Sequence, residues 1–170
     1  MFRTCALFAL ALAAPACSLK TLPPDGLVIM DTSVSADYEA YIADAVAEWN
    51  SSGLTRLSMG HGAQAPGSDA AWIVTIDTRS EAFDGMTWFD RTDGPRTWLF
   101  VGNPKADPAG RWKRVAMHEI GHALGFDHLP RGIMHPDSPT PCIDEYTVIQ
   151  ARLVFEPVGR THPTCEGEQE

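Results

Sequence analysis

Basic charge is scarce in this chain. Its 170 residues carry 13 Lys and Arg against 22 Asp and Glu, a formal charge of −9 at pH 7. That balance repels a phosphate backbone and argues against nucleic acid as a partner. Long apolar runs are scarce as well: the run near the start, Ala6 to Ala14, is too short for a permanent membrane anchor. The chain has no internal repeat, no low-complexity tract and no EF-hand loop. Asp90-Arg91-Thr92-Asp93-Gly94 is a weak candidate for Ca2+ and reads better as a turn. Cysteine is limited to four residues, Cys5, Cys17, Cys142 and Cys165.

Residues 1–16 read as an export signal, with Arg3 ahead of the apolar run and small residues at its end. Ala14-Pro15-Ala16-Cys17 allows two processing routes at one bond. Ala14-x-Ala16 suits an ordinary signal peptidase, whereas a cysteine after a small residue resembles a bacterial lipoprotein box. Parity bears on the choice. Cys5 leaves with the signal and Cys142 can pair with Cys165, which strands Cys17 unless it is modified. Cys17 is therefore the lipidation candidate, with residues 17–26 as a tether to an envelope membrane. The rival is a soluble periplasmic or secreted protein with a free terminal thiol. A bridge from Cys142 to Cys165 closes a loop of some twenty residues and contributes roughly 3 kcal/mol in the chain-entropy model. It pins the polar tail, residues 157–170, to the body.

About 150 residues remain after the signal, enough for one domain with a sizeable core and too few for two. Leu27–Met30 reads as a strand. Ser35 is placed to cap a helix in which Tyr38, Ile42, Ala45, Val46 and Trp49 recur at helical spacing, ending at Ser51-Ser52-Gly53. Segments of β character follow at Thr55–Met59, Trp72–Asp77, Met86–Phe89 and Thr97–Val101, with loops at Ala63–Asp69 and Asn103–Gly110. A helix spans Arg111 to Leu124. A last helix opens at Thr140-Pro141, shows an apolar face of Ile143, Tyr146, Ile149 and Leu153, and is stopped by Pro157.

The most specific stretch is His118-Glu119-Ile120-Gly121-His122-Ala123-Leu124-Gly125-Phe126-Asp127-His128. Four residues apart on a helix, His118 and His122 share a face, so one ion can take both imidazoles. Gly125 stands where a helix commonly stops in a left-handed conformation. The chain can then reverse and return His128 as a third ligand. Three protein nitrogens leave the fourth position of a tetrahedral zinc for water, the mark of a catalytic site. Glu119, beside the metal, is the candidate general base for that water.

At these residues the chain resembles the metzincin zinc peptidases. Val115-Ala116 just before them is similar to the matrixin branch, whose members are matrix-metalloprotease-like catalytic domains. Ile133-Met134-His135-Pro136 is similar to the family's Met-turn. The resemblance implies one catalytic Zn2+ on His118, His122 and His128, Met134 packed beneath it, and His135 and Pro136 along the substrate-pocket wall. Leu129 departs from the small hydroxyl residue usual in matrixins after the third histidine.

The order of elements gives an α+β fold: a twisted mixed sheet backed by two helices, one carrying the zinc site, then the Met-turn and a C-terminal helix. Residues 27–156 form this catalytic domain. The resemblance implies that the sheet's edge strand runs beside the substrate and pairs with its backbone, and by position Gly85–Asp90 is the candidate edge; alternatively, Met86, Trp88 and Phe89 merely pack the sheet. The function expected is a monomeric zinc endopeptidase acting on peptide or protein substrates. Alternatives are a non-catalytic zinc-binding envelope lipoprotein and a zinc amidase acting on cell-wall peptides.

Overall fold

The computed structural model describes residues 21–62, 71–77, 84–90, 94–100 and 110–165. The export signal, Cys17 and residues 91–93 of the calcium candidate lie outside the described residues, as does nearly all of both expected loops. What is described is a mixed α/β arrangement of five strands and three helices: β1 (Leu27–Met30), α1 (Ala36–Ser51), β2 (Ser58–His61), β3 (Ala71–Asp77), β4 (Gly85–Asp90), β5 (Gly94–Phe100), α2 (Arg111–Ala123) and α3 (Glu145–Val154).

The strands form one sheet in the order β2-β1-β3-β5-β4. Three of its pairings are parallel, and β4 closes the far edge antiparallel to β5, with Thr87 opposite Thr97. Val28 and Met30 are buried, as is the expected face of α1: Tyr38, Ile42, Ala45, Val46 and Trp49. Helix α2 packs on α1 and on the β4–β5 end of the sheet. Trp49 joins the two helices, its indole N–H donating to the Met117 carbonyl at 3.0 Å while its ring packs near Phe126. A buried indole that also satisfies a backbone carbonyl fixes the register of two helices more tightly than apolar contact alone.

Four local expectations are corrected. Ser35 occupies the N-cap of α1 in extended conformation, but its side chain makes no capping hydrogen bond. Strand β2 begins at Ser58 rather than Thr55 because Asn50, near the end of α1, claims the intervening segment. Its carboxamide accepts from Thr55 Oγ1 and Leu57 N and donates to Leu57 O. Helix α3 opens after Asp144, not at Thr140-Pro141. Ile143 cannot enter it, since its N–H donates to Thr164 Oγ1 and its carbonyl accepts from Thr164 N and Cys165 N. Finally, α3 buries Thr147, Val148 and Ala151, leaving Ile149 and Leu153 exposed.

Cys142 and Cys165 form a disulfide with Cα atoms 5.1 Å apart. The tail between α3 and Cys165 runs back over the end of α1, with Gly159 N donating to Gly53 O and His162 N to Ser52 O. Segment 142–144 is thus held from two sides, by a covalent bond and by backbone hydrogen bonds. Among the described residues no helix is long and apolar enough to cross a membrane.

Candidate metal centre

Helix α2 runs to Ala123, and Gly125, at φ 103°, reverses the chain in a conformation that a side chain would strain. Gly125 N donates to His122 O and Phe126 N to Gly121 O, closing the helix end. His128 is thereby returned to the histidines of α2. One nitrogen from each of His118, His122 and His128 lies within 4.8 Å of the others, and the ring centroids stand 4.7 to 5.2 Å apart.

Hydrogen bonding decides which nitrogens are free. His118 Nδ1 is 2.8 Å from Ile133 O, and His122 Nδ1 is 2.8 Å from Phe126 O. A carbonyl only accepts, so each Nδ1 carries the proton and each Nε2 of the neutral ring presents a lone pair. Burial keeps these rings neutral. It pushes the His118 pKa down to about 4, against the opposing bond to Ile133, with His122, His128 and Arg114 adding to the fall. His122 is lowered by the same main cause. The two Nε2 atoms are 3.1 Å apart. Two bare lone pairs at that distance repel unless a cation lies between them. Nitrogens bound at about 2.0–2.1 Å to one tetrahedral zinc stand about 3.3 Å apart. His118 and His122 fit zinc in donor type, protonation and spacing, with His128 supplying a third imidazole within 4.8 Å, and carbonyls on Nδ1 are the usual outer support of such zinc-binding histidines.

Glu119 is 5% exposed and reaches the cleft from the same helix. Its Oε2 accepts from Thr87 Oγ1 at 2.7 Å, and Thr87 Oγ1 is 2.7 Å from Thr97 Oγ1 on the neighbouring strand. With the Thr87 proton on the carboxylate, the buried Thr97 hydroxyl donates in turn to Thr87. Gly85 leaves the room: a Cβ there would come within 2.8 Å of Glu119 Cγ and Oε1. Burial raises the Glu119 pKa to about 7, the Thr87 bond opposing the shift. A carboxyl poised near neutrality in a cleft shared with three imidazoles suits proton transfer at working pH.

Met134 is fully buried directly beneath Gly121, where a Cβ would fall 2.1 Å from its sulfur. The glycine between His118 and His122 is therefore the seat of the thioether. The Met134 loop is tied to α3 through Asp144. That carboxylate accepts from Ile133 N at 3.2 Å and caps α3 by accepting from Thr147 N and Thr147 Oγ1. Ile133 in turn orients His118. Asp144→Ala removes a helix cap and a loop tether together, so it is expected to cost about 2 kcal/mol in a urea titration; an unchanged midpoint would show both bonds to be incidental.

The histidines, Glu119 and the edge strand β4 line a cleft of about 560 Å³. Pro136 stands on its wall, joined by Asp137. His135, expected beside Pro136, does not line it; its Nδ1 accepts from Asp137 N and shapes the turn. Met86 and Trp88 on β4 are 41 and 60% exposed, so sheet packing does not account for them. Thr87, Gly85 and Asp144 were not singled out by sequence reasoning. Asp144 carried a signal, an acidic residue three before a threonine at a helix start. Thr87 and Gly85 carried none, since their role depends on a helix more than thirty residues away.

No family model matches the chain, and no curated protein matches it. Among solved structures it is similar to "GM1 bound form of the ECX AB5 holotoxin", with 17% identity over 62% of this chain and a TM-score of 0.43. The chain spans about half of that chain's length, 53%. Function rests on the site itself.

Proposed function

We propose that this protein is an exported zinc endopeptidase of metzincin type, matrixin-like in its zinc helix and Met-turn, anchored through lipid on Cys17. The observation that carries the catalytic reading is the buried carboxylate of Glu119, held by Thr87 beside three converging imidazoles. A metal carrier has no use for that arrangement.

His118, His122 and His128 would hold the ion. Zinc, when bound there, supplies Lewis acidity toward water and a peptide carbonyl. Glu119 accepts a proton from the attacking water as its oxygen bonds to the carbonyl carbon, then delivers that proton to the amine nitrogen as the C–N bond breaks. Gly85 and the Thr87–Thr97 hydroxyl pair keep the carboxylate on the cleft side. The outer edge of β4 offers backbone donors and acceptors to an extended peptide. Arg114 and Asp137 on the walls supply charge of both signs for side-chain selection.

Turnover of a fluorogenic peptide is expected to vanish on chelation and to return with one equivalent of zinc. Turnover that survives a chelator shown to strip the metal would refute the reading.

A further inference from the structure

Five large apolar side chains are exposed among the described residues, and three of them, Ile149, Leu153 and Val154, lie on α3. Leu153 is 78% exposed, the most of the five. Tyr146, Ile149 and Leu153 recur at helical spacing along one face, with the Arg131 guanidinium 4.5 Å over the Tyr146 ring. Of the four residues that the sequence offers as a core face, Ile143 is buried ahead of the helix and Tyr146 is half-buried, whereas Ile149 and Leu153 are turned outward. None of these residues lines the cleft.

Two observations point to what covers it. The first is where the chain enters. Leu22 is buried, its N–H donating to Ala123 O at 2.7 Å. Thr21 and Val154 flank the same point: a Cβ on Gly125 would lie 3.1 Å from the Thr21 methyl and 3.4 Å from a Val154 methyl. The entering chain therefore lies against the C-terminal end of α3. From Cys17 to Thr21 is four residue steps, a reach of at most about 14 Å. The second is local charge. Arg152, next to Leu153 in the chain, and Arg160 line a shallow hollow together with Glu156 and Thr161, where Arg152 also donates to Thr161 Oγ1, on a chain that is acidic overall.

We propose that α3 is a membrane-contact helix: Ile149, Leu153 and Val154 sink into the headgroup–acyl boundary of an anionic bilayer, and Arg152 and Arg160 meet its phosphates. The anchored geometry rests on the lipidation of Cys17 given above; the contact face does not. Apolar side chains flanked by guanidiniums suit an interfacial helix, and a second membrane signal beside an acyl anchor makes attachment durable. The short leash holds this end of α3 near the lipid surface.

The test is co-sedimentation of the full chain carrying Cys17→Ser with vesicles of phosphatidylglycerol and phosphatidylethanolamine, and with vesicles of phosphatidylcholine. Binding to the anionic vesicles is expected to fall roughly tenfold with Leu153→Ser and to weaken with Arg152→Gln/Arg160→Gln, with the melting temperature unchanged. Trp88→Ser, on the other exposed apolar patch, is expected to bind as before. Absence of binding to anionic vesicles, or binding indifferent to Leu153→Ser, would overturn the contact face. So would a concentration-dependent dimer that Leu153→Ser abolishes without any vesicle binding. Mass measurement of the mature wild-type chain separates the two parts: an acyl mass on Cys17 supports the anchored geometry, and an unmodified Cys17 overturns it whatever the vesicles show.

Discussion

Glu119→Gln is expected to lower peptide hydrolysis by about 10²–10⁴-fold, the usual contribution of a general base, while making the metal-free protein more stable above neutral pH. The second half follows from burial. The carboxyl of Glu119 has its pKa raised to about 7 from 4.5. A raised carboxyl contributes full stability below the unfolded value and loses it as pH rises through the folded one. Between pH 4.5 and 7 the wild-type chain therefore pays a growing cost for an ionised buried group, of order 3 kcal/mol at about 1.4 kcal/mol per pH unit. His118 acts oppositely. Its pKa is lowered to about 4, so its contribution is full above pH 6.5 and is lost as pH falls through 4. Because the histidine is common to both proteins, the difference between variant and wild type isolates Glu119. Thermal melts with chelator at pH 4.5 and pH 8 should show the Gln variant gaining only at the higher pH. A difference that does not change with pH would contradict the buried-carboxylate account.

Removing the disulfide has the next largest expected effect. Cys142 and Cys165 are 23 residues apart in sequence, and cross-linking a loop of that length stabilises by about 3 kcal/mol in the chain-entropy model. The consequence should reach the metal centre. Ile143 is bonded on both backbone groups to Thr164, Asp144 holds Ile133 N, and Ile133 O orients His118. Loosening the bridge loosens the support of His118, and where such a histidine holds a metal, supports of this kind contribute roughly 10–100-fold to affinity. Cys142→Ser/Cys165→Ser should lower the denaturant midpoint and weaken zinc in a competition titration. Loss of stability with unchanged affinity would show that the bridge serves the tail alone.

The histidine cluster was legible in the sequence because its members are local. Two histidines one turn apart and a third returned by Gly125 need only helix geometry and one left-handed residue. Helix α1 was legible for a related reason, since its stripe from Tyr38 to Trp49 is the side it buries. Helix α3 shows the limit of that reading. Its apolar stripe is real, but Asp144 fixes the helix start and places Thr147, Val148 and Ala151 inward, which periodicity cannot reveal. Equally hidden was the cradle of Glu119. Thr87 and Gly85 meet it only because β4 closes the sheet edge beside α2. Residues 55–57 read as strand by composition, yet the Asn50 side chain ties them against the end of α1 as irregular chain.

The central claim is that three imidazoles hold one divalent cation, and metal content tests it most directly. After purification and dialysis, elemental analysis should find about one zinc per wild-type chain and essentially none in His122→Ala, with Glu119→Gln retaining the full equivalent. A wild-type chain that neither carries nor takes up stoichiometric transition metal would contradict the account.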